Sequence, residues 1–217
     1  KDEGKGKKEY IPNYLLMIGL FYKEMGEYDK ALDYYQRGLD LMDKEGYNRY
    51  RYIGKLNYYG FIGDIFTDFG NYQKAIYFAD QRLKVAKEII GKIDTGEKIG
   101  IGKEVAADSL RASYFLLGQI FRRLGDYSKA MDSYQEALKL TKQINKFVEL
   151  LTLNDIGLLY KEFGDSEKAL DYFKKALELN RQYYPNKNVY SAKILGSIGD
   201  IYLDLENTEE ASIAYEK

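Results

Sequence analysis

The sequence contains no cysteine and no histidine. Without cysteine it can form neither a disulfide nor a thiolate metal site, so a disulfide-stapled secreted scaffold is excluded. Without histidine it lacks a common zinc ligand and the one side chain that ordinarily titrates near neutral pH. A nucleophile and its base would have to come from lysine, serine or carboxylates. We therefore predict that the protein is not an enzyme and that it holds no metal and no cofactor.

An excess of charge of either sign is also missing. Lysine and arginine number 33 against 34 aspartates and glutamates, which leaves a net charge of -1. General nucleic-acid binders and polybasic membrane-surface proteins carry a basic excess, so we predict neither kind of partner. The chain has no apolar run of the ~18 residues that a membrane-spanning helix needs. Residues Lys1–Lys8 do not resemble a signal peptide, and we predict a cytoplasmic protein.

Proline is scarce as well, with 2 residues in 217, whereas tyrosine is abundant with 23. Low proline with abundant Leu, Ile, Lys and Glu is typical of helices. One pattern recurs five times: an apolar residue, a glycine, an aromatic residue three positions later, and an alanine 12 positions after the glycine. The glycine and alanine pairs are Gly19 and Ala31, Gly63 and Ala75, Gly118 and Ala130, Gly157 and Ala169, and Gly199 and Ala211. Such spacing predicts a repeat array.

Each copy is predicted to form two helices. In the first copy Leu15, Ile18, Tyr22 and Met25 follow helical spacing, and no segment alternates as a strand does. A glycine seven positions after the pattern's first glycine is expected to end the first helix in four copies. These glycines are Gly26, Gly70, Gly125 and Gly164; Asp126 and Asp165 follow two of them and are expected to cap the next helix.

The glycine and alanine have a packing reason, because two helices approach closely only where side chains are small. The aromatic residues three after the glycine and four after the alanine are expected to fill the wider space between neighbouring helix pairs. In the fourth copy Gly157, Tyr160, Ala169 and Phe173 should therefore all be buried. Changing them should unfold the array, and a specific binding contact should lie elsewhere.

The five copies resemble the tetratricopeptide repeat family, whose pattern is W-x₂-L-G-x₂-Y…A-x₃-F…P. The family's tryptophan is replaced by Leu15, Tyr59, Tyr114, Leu153 and Leu195. A further small residue, seven after the alanine, is Gly38, Ala137 or Ala176, but it is Arg82 in the second copy. The proline is absent, and the copies lie 44, 55, 39 and 42 residues apart, so the long-helix class of the family is the better match. This resemblance implies an all-α, right-handed superhelical solenoid of antiparallel helical hairpins, with the fifth repeat truncated.

We predict a single array over residues 1–217, with repeats near 12–44, 56–92, 107–144, 149–183 and 191–217. Residues 1–9 are expected to be a loose lead-in. The chain lacks an initiator methionine and stops at Lys217 inside a predicted helix, so we expect both ends to be truncated from a longer protein. Residues 93–103 are predicted to be an inter-repeat loop containing glycine. A phosphate-binding loop is not expected there, because Glu97 and Glu104 stand where that motif needs Gly and Ser or Thr.

The resemblance also implies a concave groove, lined by the first helix of each repeat, that binds a protein or peptide. The residues that it places in the groove are Leu16, Leu20, Asp64, Asp68, Gln119, Arg122, Asn154, Leu158, Lys161 and Asp200. Leu16 and Leu20 would form an apolar end. They stand where chaperone-binding members carry the lysine and asparagine of a carboxylate clamp, so no such clamp is expected.

The charged groove positions allow two interpretations each. Arg122 and Lys161, with Gln119 and Asn154, could hold an acidic peptide by charge-assisted hydrogen bonds, or they could be an ordinary charged surface. Asp64 with Asp68, and Asp200 with Asp204, are i, i+4 pairs that could hold a divalent cation or perform acid–base chemistry. We favour a solvated groove wall that prefers basic partners.

We therefore predict a protein-interaction scaffold that binds a peptide or partner helix. The first alternative is the regulatory or sensor arm of a larger signalling protein, such as a kinase, a protease or a transcription regulator. The second alternative is an RNA-binding helical repeat, against which the net charge of -1 counts.

Overall fold

The computed structural model describes residues 10–44, 51–141, 146–185 and 188–216, and these residues form ten α-helices and no strand. The helices are α1 (Ile11–Glu24), α2 (Tyr28–Met42), α3 (Arg51–Asp68), α4 (Tyr72–Asp94), α5 (Lys103–Leu124), α6 (Tyr127–Thr141), α7 (Lys146–Glu162), α8 (Ser166–Tyr183), α9 (Asn188–Asp204) and α10 (Thr208–Glu216). The predicted all-α fold of helical hairpins is confirmed. The expected lead-in at residues 1–9 lies outside the described residues, as do residues 142–144 and 217 of the predicted repeats.

Hairpins are numbered here by their copy of the repeat pattern, so that α5 and α6 belong to the third. The first (α1 with α2), second (α3 with α4), fourth (α7 with α8) and fifth (α9 with α10) pack along their length. Glycine ends the first helix of the first of them, where Gly26 has a φ of 76°. The Gly26 N–H donates to the Lys23 carbonyl at 3.0 Å and the Glu27 N–H to the Tyr22 carbonyl at 2.9 Å. This double hydrogen bond caps a helix with a left-handed residue. The last hairpin differs, because Glu206 takes the left-handed position with a φ of 58°.

The helix starts are capped by side chains as predicted at two turns. Asp126 accepts a hydrogen bond from the Lys129 N–H at 3.2 Å, and Asp165 accepts one from the Lys168 N–H at 3.1 Å. Each carboxylate also accepts from the lysine ammonium group, which is the largest cause of the lowered pKa of both aspartates. These caps satisfy amide groups that the helix itself leaves unpaired.

The chain divides into two compact units, residues 1–120 and 121–217. The core of the first unit is rich in aromatic rings. Its fully buried large side chains are Tyr35, Met42, Tyr58, Ile62, Ile65, Ile89 and Ile120. The hydroxyl of Tyr58 donates to the carbonyl of Pro12, which ties α3 to α1. Burial of the Tyr58 ring raises the pKa of its phenol.

The second unit has a more aliphatic core, in which α7, α8 and α9 meet. The ring of Phe173 lies among Leu150, Ala176, Leu177 and Ile194. A Cβ atom on Gly157 would lie 2.7 Å from two carbons of that ring, so the aromatic side chain fills the notch over the glycine of its own hairpin.

The packing prediction for the fourth copy is correct in three of its four positions. Gly157, Ala169 and Phe173 are buried, but Tyr160 is only half-buried. Tyr160 lies at the edge of the hairpin and stacks on Tyr172, with ring centroids 5.5 Å apart. Two helices leave room at their seam for a single ring, so the second aromatic residue of the pattern is displaced toward solvent.

The connection between the second and third hairpins is shorter than the predicted loop. Helix α4 continues to Asp94 and α5 begins at Lys103, which leaves residues 95–102 as the connection. At the beginning of this connection Glu97 forms an ion pair with Lys92 of α4 at 2.8 Å. None of the helices in the described part of the chain is both long and apolar enough to cross a membrane.

Candidate functional site

A cleft of about 260 Å³ opens in the first unit between α3 and α5. Helix α3 presents Asn57, Gly60, Phe61 and Asp64 to it; helix α5 presents Ala112, Phe115, Leu116 and Gln119; and helix α4 contributes Arg82. Two of the residues predicted for a binding groove, Asp64 and Gln119, are thus brought together in one cleft. The cleft combines charged and amide groups with apolar walls.

Arg82 reaches this cleft from the second helix of the hairpin. It packs over Gly60, where a Cβ atom would lie at ordinary contact distance, 3.4 Å, from Nε of Arg82. The guanidinium donates one hydrogen bond, from Nη1 to the carbonyl of Ala112 at 3.1 Å. Nε of Arg82 is buried and has no hydrogen-bond partner among the described residues. The side chain is therefore held in place by backbone and by packing against α3.

The charge of Arg82 is poorly compensated. No carboxylate of the described residues lies within 4.0 Å of the guanidinium. Burial lowers the pKa of Arg82, and the negative charge of Asp64 offsets part of that effect. Arginine nevertheless stays protonated, and a desolvated cation without a paired anion is costly. A carboxylate brought in by a partner would relieve that cost.

Two departures from the repeat pattern mark this place in the sequence. The aromatic position four after the alanine is Ala79, and the small position seven after the alanine is Arg82. In the sequence Arg82 stands out only as a departure from the pattern, with no role attached to it. A charged residue at a position that packing reserves for a small one was the signal that could have found it.

The other cations predicted for the groove are already paired inside the chain. Lys161 on α7 forms an ion pair with Asp200 on α9 at 2.7 Å. Arg122, at the end of α5, pairs with Glu162 at the end of α7. In the first unit Lys23 lies 3.9 Å from Asp64 in the same way. Each cation stands four residues after its repeat's glycine, and each pair joins the first helices of consecutive repeats.

These pairs change how the predicted residues can act. Asp200 accepts hydrogen bonds from Lys161 and from the hydroxyl of Tyr215, and these bonds lower the pKa of Asp200. Its carboxylate and the Lys161 ammonium are therefore available to a partner only if that partner replaces an existing contact. Exposed pairs of this kind contribute little to stability, about 0–1 kcal/mol, and align the helices.

The remaining predicted positions are spread over both units. Leu16 and Leu158 are half-buried against the core of the unit to which each belongs. Leu20 is half-buried on α1, and Asp68 is exposed at the end of α3. Asn154 is half-buried and lies 3.4 Å from the carboxylate of its neighbour Asp155. Whether these positions act together as a groove stays a prediction.

No group of three or more potential metal-ligating acids, cysteines or histidines occurs in the described part of the chain. The aspartate pairs considered in the sequence analysis have other contacts: Asp64 lies beside Lys23, and Asp200 binds Lys161 and Tyr215.

The second unit has a cavity of similar size and different character. It measures about 240 Å³ and lies between α6 and α7, with Tyr127, Met131, Leu159, Tyr160 and Phe163 around it. Its walls are almost wholly apolar, and Ser128 is the only other lining residue. It offers few groups that could fix the orientation of a ligand. The charged cleft is therefore the better candidate for a specific site.

Comparison with known proteins supports the repeat architecture. One model of the tetratricopeptide repeat matches residues 10–88 and 148–217, and a second model of this repeat matches residues 112–144. No curated protein matches the sequence at a significant level.

Several solved structures share the fold. The apo form of RapI superposes with a TM-score of 0.72 at 16% identity, over 94% of this chain and 68% of RapI. Aspartyl phosphate phosphatase F from Bacillus subtilis gives a TM-score of 0.77 at 17% identity, over 99% of this chain and 51% of that protein. The TPR-like repeats of a putative kinesin light chain from Podosopora anserina give 0.68 at 12% identity, over 94% and 91% of the two chains. At these identities the likeness shows the fold alone.

Proposed function

The chain belongs to the tetratricopeptide repeat family, and from that premise we propose that it is a protein-interaction scaffold whose first-unit cleft binds an acidic side chain of a peptide or partner helix. The observation that carries the proposal is Arg82. Its side chain is half-buried with a buried Nε, lines a cleft of about 260 Å³ and has no carboxylate within 4.0 Å among the described residues.

The chemistry of the cleft favours a carboxylate. A guanidinium donates through several N–H groups in a planar fork that matches the two oxygens of an aspartate or glutamate. Asn57 and Gln119 add amide groups, and Phe61 and Leu116 add apolar walls against which the methylene groups of the ligand can pack. The hydrogen bonds of a charged pair are worth about 1.5–3 kcal/mol, more than neutral ones.

The size of the cleft favours one side chain of a peptide over a whole small molecule. Small-molecule pockets usually measure ~300–1,000 Å³, and this cleft is smaller at about 260 Å³. Asp64 on the same wall carries the opposite charge to Arg82. A peptide in which an acidic residue is followed closely by a basic one would therefore fit best. Because the helices of the protein are already formed, the conformational entropy lost on binding is mainly that of the peptide.

The lining residues support binding and not catalysis. The cleft contains an arginine, an aspartate and two amides, with no serine, threonine or lysine that could act as a nucleophile beside a base. We propose protein or peptide partners and no nucleic acid, because the net charge of -1 provides no general attraction for phosphates. A regulatory arm of a signalling protein would use the same cleft in the same way.

The test uses a displayed library of random 12-residue peptides selected against the protein as the probe. Peptides that bind should be enriched in aspartate or glutamate. Arg82→Met keeps an unbranched side chain out to the position of Nε and removes the charged guanidinium, so it should weaken a selected acidic peptide about tenfold or more in fluorescence anisotropy. Replacing the peptide's acid by its amide should weaken binding to the wild type and change binding to Arg82→Met little.

The matched control is Lys84→Met, which removes an exposed cation two residues away on the same helix. It should leave the affinity unchanged, and circular dichroism should show both variants folded. Equal affinity of the acidic peptide for the wild type and Arg82→Met would refute the assignment of the cleft.

A further inference from the structure

The outer face of α1 carries an apolar stripe. Of the eighteen large hydrophobic side chains that are exposed in the described part of the chain, seven lie between Tyr10 and Met25. They are Tyr10, Ile11, Tyr14, Met17, Ile18, Phe21 and Met25. Their spacing places them on one side of the helix, in a band about 120° wide at ~100° per residue. The opposite side packs against α2 and α3.

The repeats provide an internal reference for this face. The exposed fraction of the side chain differs between copies at three positions: five residues before the pattern's glycine, one before it and two after it. In α1 these are Tyr14, Ile18 and Phe21, which are 63%, 37% and 62% exposed. In the four other copies the same positions are at most 6% exposed. Those residues are Tyr58, Ile62 and Ile65; Ser113, Leu117 and Ile120; Thr152, Ile156 and Leu159; and Ile194, Ile198 and Ile201.

The structure shows what covers the equivalent face elsewhere. On α3 the cover is α2: the ring of Tyr58 occupies the space that a Cβ atom on Gly38 would take, and Tyr35 packs edge-on against Tyr58 with centroids 6.1 Å apart. On α9 the cover is α8, whose Phe173 and Ala176 share a cluster with Ile194 and Ile198. In both cases the covering helix presents an aromatic residue followed three positions later by a glycine or alanine.

The sequence of α1 supports the same conclusion. From Ile11 to Tyr22 the helix contains no charged residue, and its two charges, Lys23 and Glu24, come at its end. A helix that is apolar on all sides is typical of a buried position. Single exposed hydrophobic residues are common on protein surfaces, but a contiguous band of large ones marks an interaction site.

We propose that the outer face of α1 is a docking surface for an amphipathic helix that lies outside residues 10–216. This helix carries an aromatic residue followed three positions later by glycine or alanine. The surface consists of Tyr14, Met17, Ile18 and Phe21. It is equivalent, in its position in the repeat, to the faces of α3 and α9 that α2 and α8 cover. It is separate from the Arg82 cleft and does not depend on the function proposed for that cleft.

The probe is a labelled peptide with the sequence of α8, Ser166–Tyr183, which carries Phe173 and Ala176 at the required spacing. Isolated helices of this length are marginal in water. A second version therefore joins Asp171 and Lys175 by a lactam, because both side chains are exposed and lie away from the contact face. The lactam peptide should bind the full chain, and a peptide with Phe173→Lys should bind at least tenfold more weakly.

On the protein side, Phe21→Glu should reduce peptide affinity at least tenfold, because it places a charge in the centre of the apolar band. Val105→Glu is the matched control: it adds the same charge at another exposed apolar residue of the first unit, and affinity should not change. Sedimentation velocity on the unliganded chain provides a further readout, and the chain should remain monomeric.

Two results would overturn the proposal. One is that the lactam peptide fails to bind at about 1 mM or binds Phe21→Glu as well as the wild type. The other is that the chain dimerises through this face, shown by a dimer that Phe21→Glu dissociates and the peptide does not. The occupant would then be a second copy of the chain and not a helix of the stated kind.

Discussion

The second and fourth hairpins share the repeat pattern and use it differently. In the fourth, α7 with α8, Phe173 covers Gly157 and Ala176 is fully buried. In the second, α3 with α4, the same two positions on the second helix are Ala79 and Arg82. A Cβ atom on Gly63 would meet nothing closer than 3.4 Å, so this glycine has no ring against it.

The difference lies beside the cleft that is proposed to bind a partner. Where the aromatic and small residues are both present, the ring lies directly over the glycine of the partner helix. Where they are replaced, an arginine lines a cleft and donates to the carbonyl of Ala112. A departure from the packing pattern is costly to stability, because it buries a poorly paired charge. Such a cost is typical of functional positions.

The largest effect is expected from removing the ring that distinguishes the fourth hairpin. Phe173→Ala should lower the free energy of unfolding by about 3–5 kcal/mol, because it leaves a cavity over Gly157 in a close-packed core. Urea unfolding followed by circular dichroism measures the loss. Lys174→Ala, at an exposed neighbouring position, should change stability by less than about 0.5 kcal/mol. Similar stabilities for the two variants would show that the ring does not hold the hairpin together.

The two glycines should respond to alanine with opposite signs. Gly157→Ala should destabilise by about 1–3 kcal/mol, because the new methyl group would overlap a buried ring that cannot move. Gly63→Ala should stabilise by up to about 1 kcal/mol, since alanine is the better helix former and the nearest atom, Cδ2 of Leu116, is at ordinary contact distance. Thermal and urea unfolding of both variants checks the signs. A loss of stability at both positions would mean that the second hairpin is packed as tightly as the fourth.

A smaller effect is expected at the ring position of the first hairpin. Tyr35 occupies the place of Phe173, and its hydroxyl is buried without a hydrogen-bond partner among the described residues. Tyr35→Phe should therefore stabilise the protein by about 1 kcal/mol at neutral pH. Phe173→Tyr is the reverse change in the fourth hairpin and should destabilise by a similar amount.

The buried Tyr35 also predicts that the free energy of unfolding depends on pH in the alkaline range. Burial is the main cause that raises the pKa of Tyr35 to about 12. An unfolded tyrosine has a pKa of about 10, so the folded state holds this proton more tightly. The resulting contribution is fully present below pH ~10 and is lost as the pH rises toward 12. Between these values Tyr35→Phe should lose less stability than the wild type in urea titrations; an identical decline in both proteins would contradict the assignment.

Much of the fold could be predicted from the sequence because its signals are local. The constant distance between glycine and alanine, as in Gly157 and Ala169, indicates a helical hairpin. The glycines that end helices and the aspartates that cap them act within a few residues, and Asp126 and Asp165 cap as predicted.

The site was less predictable because its properties depend on contacts between distant residues. Arg122 and Lys161 are cations on the first helices of their repeats, but the sequence does not say that Glu162 and Asp200 lie beside them. These partners are 40 and 39 residues away along the chain. A pairing across that distance depends on how far consecutive hairpins are offset, which the repeat pattern alone leaves open.

The sequence by itself thus determined the helices, their pairing into hairpins and the residues that seal each seam, since period, glycine and alanine act over one or two turns. The tertiary structure alone decided which charged side chains are paired with an opposite charge. It pairs the predicted cations with neighbouring carboxylates and desolvates Arg82 without such a partner. The physical reason is that the charge of a side chain is a local property, whereas its compensation depends on what the packing brings within a few ångströms.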